Sequence, residues 1–136
     1  MVDLKLSDLD KQFVATTDQY ELYIADNSKG EPIVFTVGRT GRTEHEVVAR
    51  RYSKQLERAR RSPERYRKVM IEIVAKSILL DWVGLIEDGG KAIPCSFENR
   101  VQVLTKYDEI FSLVLECAAD ASLFREDDEE ELTEKN

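Results

Sequence analysis

The chain reads as mainly α, a helical domain of about four helices carrying an N-terminal β-hairpin and a charged C-terminal tail. Three observations predict this. Two short period-two runs joined by a turn sequence stand near the N-terminus, apolar residues then recur at helical spacing from Val48 to Ala121, and past Phe124 the sequence becomes almost wholly charged. With 136 residues, 42% hydrophobic and 35% charged, there is length for one domain with a buried core under a strongly hydrated surface.

Tyr20, Leu22 and Ile24 alternate along "YELYIAD", as do Ile33, Phe35 and Val37 along "IVFTV". The intervening "NSKGEP" supplies the Asn, Gly and Pro of a turn, so residues of about 20–37 are expected to form a hairpin. A lone hairpin is marginal in water, and one face must pack on the helices or on another chain. After "GRTGR", Thr43 and Glu46 have the spacing of a capping box, followed by Val48, Tyr52, Leu56 and Ala59 at helical intervals. Ser62 and Pro63 suit the cap and first position of a second helix. Tyr66, Met70, Ile73, Val74, Ile78 and Trp82 would stripe it, and its end, "SILLDWVGL", is apolar nearly all round, the pattern of the most buried helix. Ser96 is the next N-cap, before a short helix striped by Phe97, Val101 and Leu104. Thr105 with Asp108 resembles another cap, for a last helix through Tyr107, Ile110, Phe111, Val114, Ala118 and Ala121. Residues 1–124 thus read as a single domain and 125–136 as an acidic, disordered tail.

The parts of an active site are missing from the pattern. In the connection "DWVGLIEDGGKAIPCSFEN", Glu87, Asp88 and Glu98 lack the alternating spacing of a calcium loop, and Gly89-Gly90 lacks the Lys-Ser/Thr of a phosphate loop. Cys95 has no neighbouring His, because the single histidine, His45, lies in the first turn of the basic helix. Cys95 and Cys117 are too few for a disulfide scaffold and show no CxxC spacing for zinc. The expectation is therefore no enzyme, no cofactor and no metal. Gly89-Gly90 and Pro94-Cys95-Ser96 instead read as the end of one helix and the start of another. No apolar run approaches the roughly 20 residues of a membrane span, and "MVDLKLSDLDKQ" lacks a signal-peptide pattern, so a cytosolic protein is expected.

The net charge of −7 is unevenly spread: residues 39–68 hold eleven Lys/Arg against four Glu, whereas residues 126–134 hold seven Asp/Glu and no base. The band that includes Arg50, Arg51, Lys54 and Arg58 admits three readings. It could clamp phosphates with Tyr52 and Tyr66 stacking on bases, form a solvated helix face, or meet acidic protein surface, including the tail of a neighbouring subunit. A small helical nucleic-acid-binding or regulatory protein using residues 39–68 is thus the alternative function.

From Ile78 to Phe124 the order is an apolar run, Trp82, a short acidic Gly turn, Pro-x-Ser-x-Glu-Asn, an apolar helix and "AADASLF". This order resembles the tail assembly chaperones of long-tailed bacteriophages of the lambda-like kind, over about the C-terminal half of the chain. The resemblance implies a non-enzymatic protein of the infected bacterial cytoplasm, absent from the finished virion. It implies binding to the long helical tape measure protein, and a frameshifted longer form that recruits the major tail tube protein. Partner contact is expected at Trp82, Phe97, Phe111 and Leu115, with the basic residues Arg50, Arg51, Lys54 and Arg58 as a second surface. Apolar helices and a hairpin with a spare edge also suggest a homo-oligomer.

Overall fold

A computed structural model describes residues 17–125. The expected hairpin is present: β1 (Gln19–Asp26) pairs antiparallel with β2 (Pro32–Gly38). Asn27 closes its turn, the side-chain oxygen accepting from the Lys29 and Glu31 amides at 2.9 and 3.0 Å. Gly30 takes φ +79°, which a side chain would resist.

Five α-helices follow or interleave: α1 (Thr43–Arg51), α2 (Ser53–Arg58), α3 (Pro63–Ser77), α4 (Phe97–Lys106) and α5 (Asp108–Ala119), before a 3₁₀ turn at Ala121–Phe124. Ser62 and Ser96 cap α3 and α4 as their positions predict, accepting from the Arg65 and Asn99 amides. The two threonine caps do not form. Thr43 lies inside α1, whose N-cap residue is Arg42, and α5 begins after Tyr107 without a side-chain cap.

The mainly α class requires correction, because the architecture is mixed α/β: among the described residues, five helices accompany a three-stranded antiparallel sheet in the order β1-β2-β3. The third strand, β3 (Leu79–Val83), lies in the segment whose apolar pattern predicts the most buried helix. Helix α3 stops at Ser77 because the carbonyls that follow are taken by groups outside the helix. The Arg42 guanidinium donates to the Ser77 carbonyl at 2.6 Å, the Gly38 amide to Ile78 at 2.7 Å, and Arg100 to Leu79 at 3.0 Å. With these acceptors committed, the chain passes straight into pairing with β2. Val83 faces Val34, Trp82 faces Phe35 and Asp81 faces Thr36, but Val37 faces Leu79. Leu80 is the extra residue of a bulge.

Phe35, Val37, Leu79 and Trp82 form one side of the core, against Ile71, Val74 and Ile78, Leu104 of α4, and Phe111, Val114 and Ala118 of α5. The other side of the sheet carries a transverse apolar row, Tyr23–Val34–Val83, beside the polar row Glu21–Thr36–Asp81. Solvent reaches that row, with Tyr23 57% and Val83 60% exposed. The two ends of the described body meet: the Thr17 amide donates to the Phe124 carbonyl at 2.9 Å, and Tyr20 packs edge-on against the Phe124 ring. The expectations for residues 1–16 and for the acidic tail beyond Arg125 lie outside the described residues.

Candidate functional site

The connection between β3 and α4 is held as a small structural unit. Ile86 bridges to Ala92, the Glu87 amide donates to Lys91 and the Gly90 amide to Glu87, so "EDGGK" forms a tight turn with Gly90 at φ +88°. The Trp82 indole N–H donates to the Ile93 carbonyl at 2.8 Å, and the Asn99 side chain donates to Pro94 at 2.9 Å. Each bond ties the turn back to β3 or to the first turn of α4. Glu87, Asp88 and Glu98 point to solvent at the rim. Among the described residues no three His, Cys, Asp or Glu side chains gather as metal ligands would.

The histidine and the two cysteines singled out in the sequence are each shifted toward their uncharged forms. Burial first, and then the Arg42 guanidinium, lowers the His45 pKa, and its Nδ1 accepts from the Gly41 amide at 3.3 Å. Burial raises the Cys95 thiol, and burial with the nearby Asp120 carboxylate raises Cys117 to about 11. Thiolate is the nucleophile, so both cysteines should be sluggish. At pH 8 Cys117 should react with a dinitrobenzoate disulfide at least about tenfold more slowly than free cysteine, with Cys95 the faster of the two. Rapid release from both thiols of the native protein would contradict this placement.

The expected contact residues divide by environment. Trp82 and Phe111 are each only 6% exposed and face inward. Phe97 is half-buried and has the Lys76 ammonium 5.3 Å above its ring, while Leu115 is half-buried against the core. Arg50, Arg51, Lys54 and Arg58 stand exposed on α1 and α2. Lys76 also lies 5.2 Å from the Tyr52 ring, so one ammonium spans the α1–α2 break and the start of α4. Tyr52 is thereby occupied, and Tyr66, 42% exposed, is the freer aromatic of the band.

Two surfaces emerge that the spacing did not single out. Tyr107, the N-cap of α5, is 47% exposed and Leu113 on its outer side 44%, with Ile110 between them half-buried against the core. Helix α5 is apolar on more than one side, and Phe111, Val114, Cys117 and Ala118 fill its buried stripe. Leu113 falls off that stripe, and an apolar residue off the stripe was the available signal. Beside it, Arg67 pairs with Asp108 at 2.7 Å and covers the Phe111 ring at 4.8 Å, fastening α3 to the start of α5. The second surface is a groove of about 280 Å³ between α2 and α3, lined by Gln55, Arg58, Ala59, Arg65, Lys68, Val69 and Glu72.

A family model described as YdaY prophage protein matches residues 40–136. The match takes in the basic helices, β3 and the C-terminal helices, and starts just after the β1–β2 hairpin with which β3 pairs. No curated protein and no solved structure matches the chain.

Proposed function

We propose a chaperone role in phage tail assembly for this chain, which belongs to the YdaY prophage protein family. In this reading it binds the tape measure protein in the cytoplasm of the bacterial host, keeps that client soluble while the tail tube forms, and leaves before the virion is complete. The observation that carries the reading is the exposed apolar pair of Tyr107, at the N-cap of α5, and Leu113 on its outer side, with half-buried Ile110 between them. It lies inside both the family match and the segment resembling tail assembly chaperones. A client with long apolar helical stripes needs a complementary apolar surface, and Tyr107 and Leu113 at α5 offer one. The charged surroundings, including Arg67, Asp108 and Lys106, keep such a surface soluble and orient the client without a catalytic geometry. A longer, frameshifted form would add contact to the tail tube protein, and self-association would place several such surfaces along one client.

Co-expression tests the proposal. The tape measure protein made alone should aggregate, and with this chain it should stay soluble and co-purify. Changing Tyr107→Asp together with Leu113→Asp should remove most of that rescue while leaving the circular dichroism spectrum unchanged, since both side chains are already exposed. Equal rescue by the double variant would exclude the α5 surface, and absence of the client from pull-downs with the unaltered chain would exclude the chaperone reading. Tight duplex binding lost on reversal of Arg51 and Arg58 would favour the nucleic-acid alternative instead.

A further inference from the structure

We propose that the acidic run 126–134 docks in the basic groove between α2 and α3 of its own chain, an intrachain contact independent of the chaperone reading. The groove has an apolar floor, Ala59 and Val69, with Arg58, Arg65 and Lys68 around it and Glu72 at one side. Arg51 at the end of α1, Lys54 on α2 and Arg61 between α2 and α3 add exposed positive charge. Among the described residues none of these six cations takes part in an ion pair, although Arg67, on the same helix, pairs with Asp108. Like charges gathered this closely on a small body repel one another, and a complementary segment relieves that repulsion.

The chain supplies such a segment. Residues 126–131 are six consecutive acids, and Leu132, the single apolar residue between 126 and 136, follows them and suits the Ala59–Val69 floor. The geometry permits the contact within one molecule. Phe124 is bonded to Thr17, Asp18 to Arg39, and Gly38 to Ile78, so the described chain ends near the C-terminus of α3. The groove spans Arg65 to Glu72 of the same helix, ~8–18 Å back along its axis from Ser77 at 1.5 Å per residue. Nine residues extend ~30 Å. A tethered segment also acts at an effective concentration of roughly millimolar, so even a weak charge-driven contact is populated.

The test uses full-length chains and a fluorescent peptide of residues 125–136. In one full-length variant the six acids from 126 to 131 become Gln or Asn, which empties the groove. That variant should bind the peptide, and the unaltered chain should bind it at least about tenfold more weakly because its own tail competes. Binding should fall at least about tenfold when the salt is raised from ~0.05 to ~0.5 M. It should fall similarly on adding Arg58→Glu with Lys68→Glu, or on placing Asp at position 132 of the peptide. Equal binding by the two chains, or no binding by the tail variant, would overturn the proposal. A tail-dependent dimer that dissociates on dilution would also overturn it, by showing docking between molecules. So would a DNA duplex that binds the unaltered chain and the tail variant equally well, since it would then be the groove's ligand.

Discussion

Trp82→Ala is expected to remove about 3–5 kcal/mol of stability, the range for truncating a buried aromatic residue. The indole packs on Phe35 with ring centres 5.6 Å apart and donates to the Ile93 carbonyl, so its loss opens a cavity and leaves that carbonyl without a protein donor. Urea unfolding should show a large fall in midpoint, and the thermal transition should drop by roughly 10–20 °C. Trp82→Phe should lose less, because a ring still fills the space against Phe35. An unshifted midpoint in Trp82→Ala together with lost client binding would assign Trp82 to a partner surface and contradict its inward placement.

Gly84→Ala should be nearly as severe for a different reason. Gly84 follows β3 at φ +87°, and a Cβ there would overlap the Pro32 carbonyl oxygen and stand 2.9 Å from the Ile33 Cα. The left-handed conformation costs a non-glycine residue about 1–2 kcal/mol, and backbone overlap adds about 1–3 kcal/mol as the strands shift apart. The Asn27 side chain, which donates to the Gly84 carbonyl at 2.9 Å, would lose its alignment as well. Gly89→Ala is the control: nothing lies within 4 Å of a Cβ at that position, so its cost should stay within about 0.5 kcal/mol. Equal midpoints for the two variants would refute the close approach of β3 to the start of β2.

The two predictions fall on, and just after, the strand that periodicity misassigned. The hairpin was legible because Tyr20, Leu22 and Ile24 alternate against solvent-facing neighbours and Asn27 and Gly30 specify the turn. The caps were legible because Pro63 follows Ser62 at the first helical position and Phe97 opens an apolar repeat right after Ser96. "ILLDW" defeated the same reasoning. The bulge at Leu80 puts the buried residues of β3, Leu79 and Trp82, three apart, and Ile78 precedes Trp82 by four. Those are helical intervals produced by a strand. The acceptors that end α3 are claimed by Arg42, distant in sequence, and by the Gly38 amide, which no local pattern announces. For the functional surface, composition showed the basic band but not which cations line a groove. Helical spacing grouped Tyr107 and Ile110 with Phe111 and Val114, and only packing separates the exposed Tyr107 from the buried Phe111 and Val114.

The bond between Thr17 and Phe124 has a bearing on how this body can be joined to other chains. Its entry and exit lie side by side at one corner of the sheet, so segments attached at either end leave from the same place. A fusion there adds bulk at a single point and leaves the α5 surface and the α2–α3 groove unobstructed by a second attachment. The same adjacency makes the domain a candidate for circular permutation, with residue 124 linked briefly to residue 17 and new ends cut in the exposed Glu87–Lys91 turn. In such a permutant β3 would close the chain and α4 would open it. Strand and helix packing would be retained while α4 and α5 emerge before the hairpin during synthesis instead of after it.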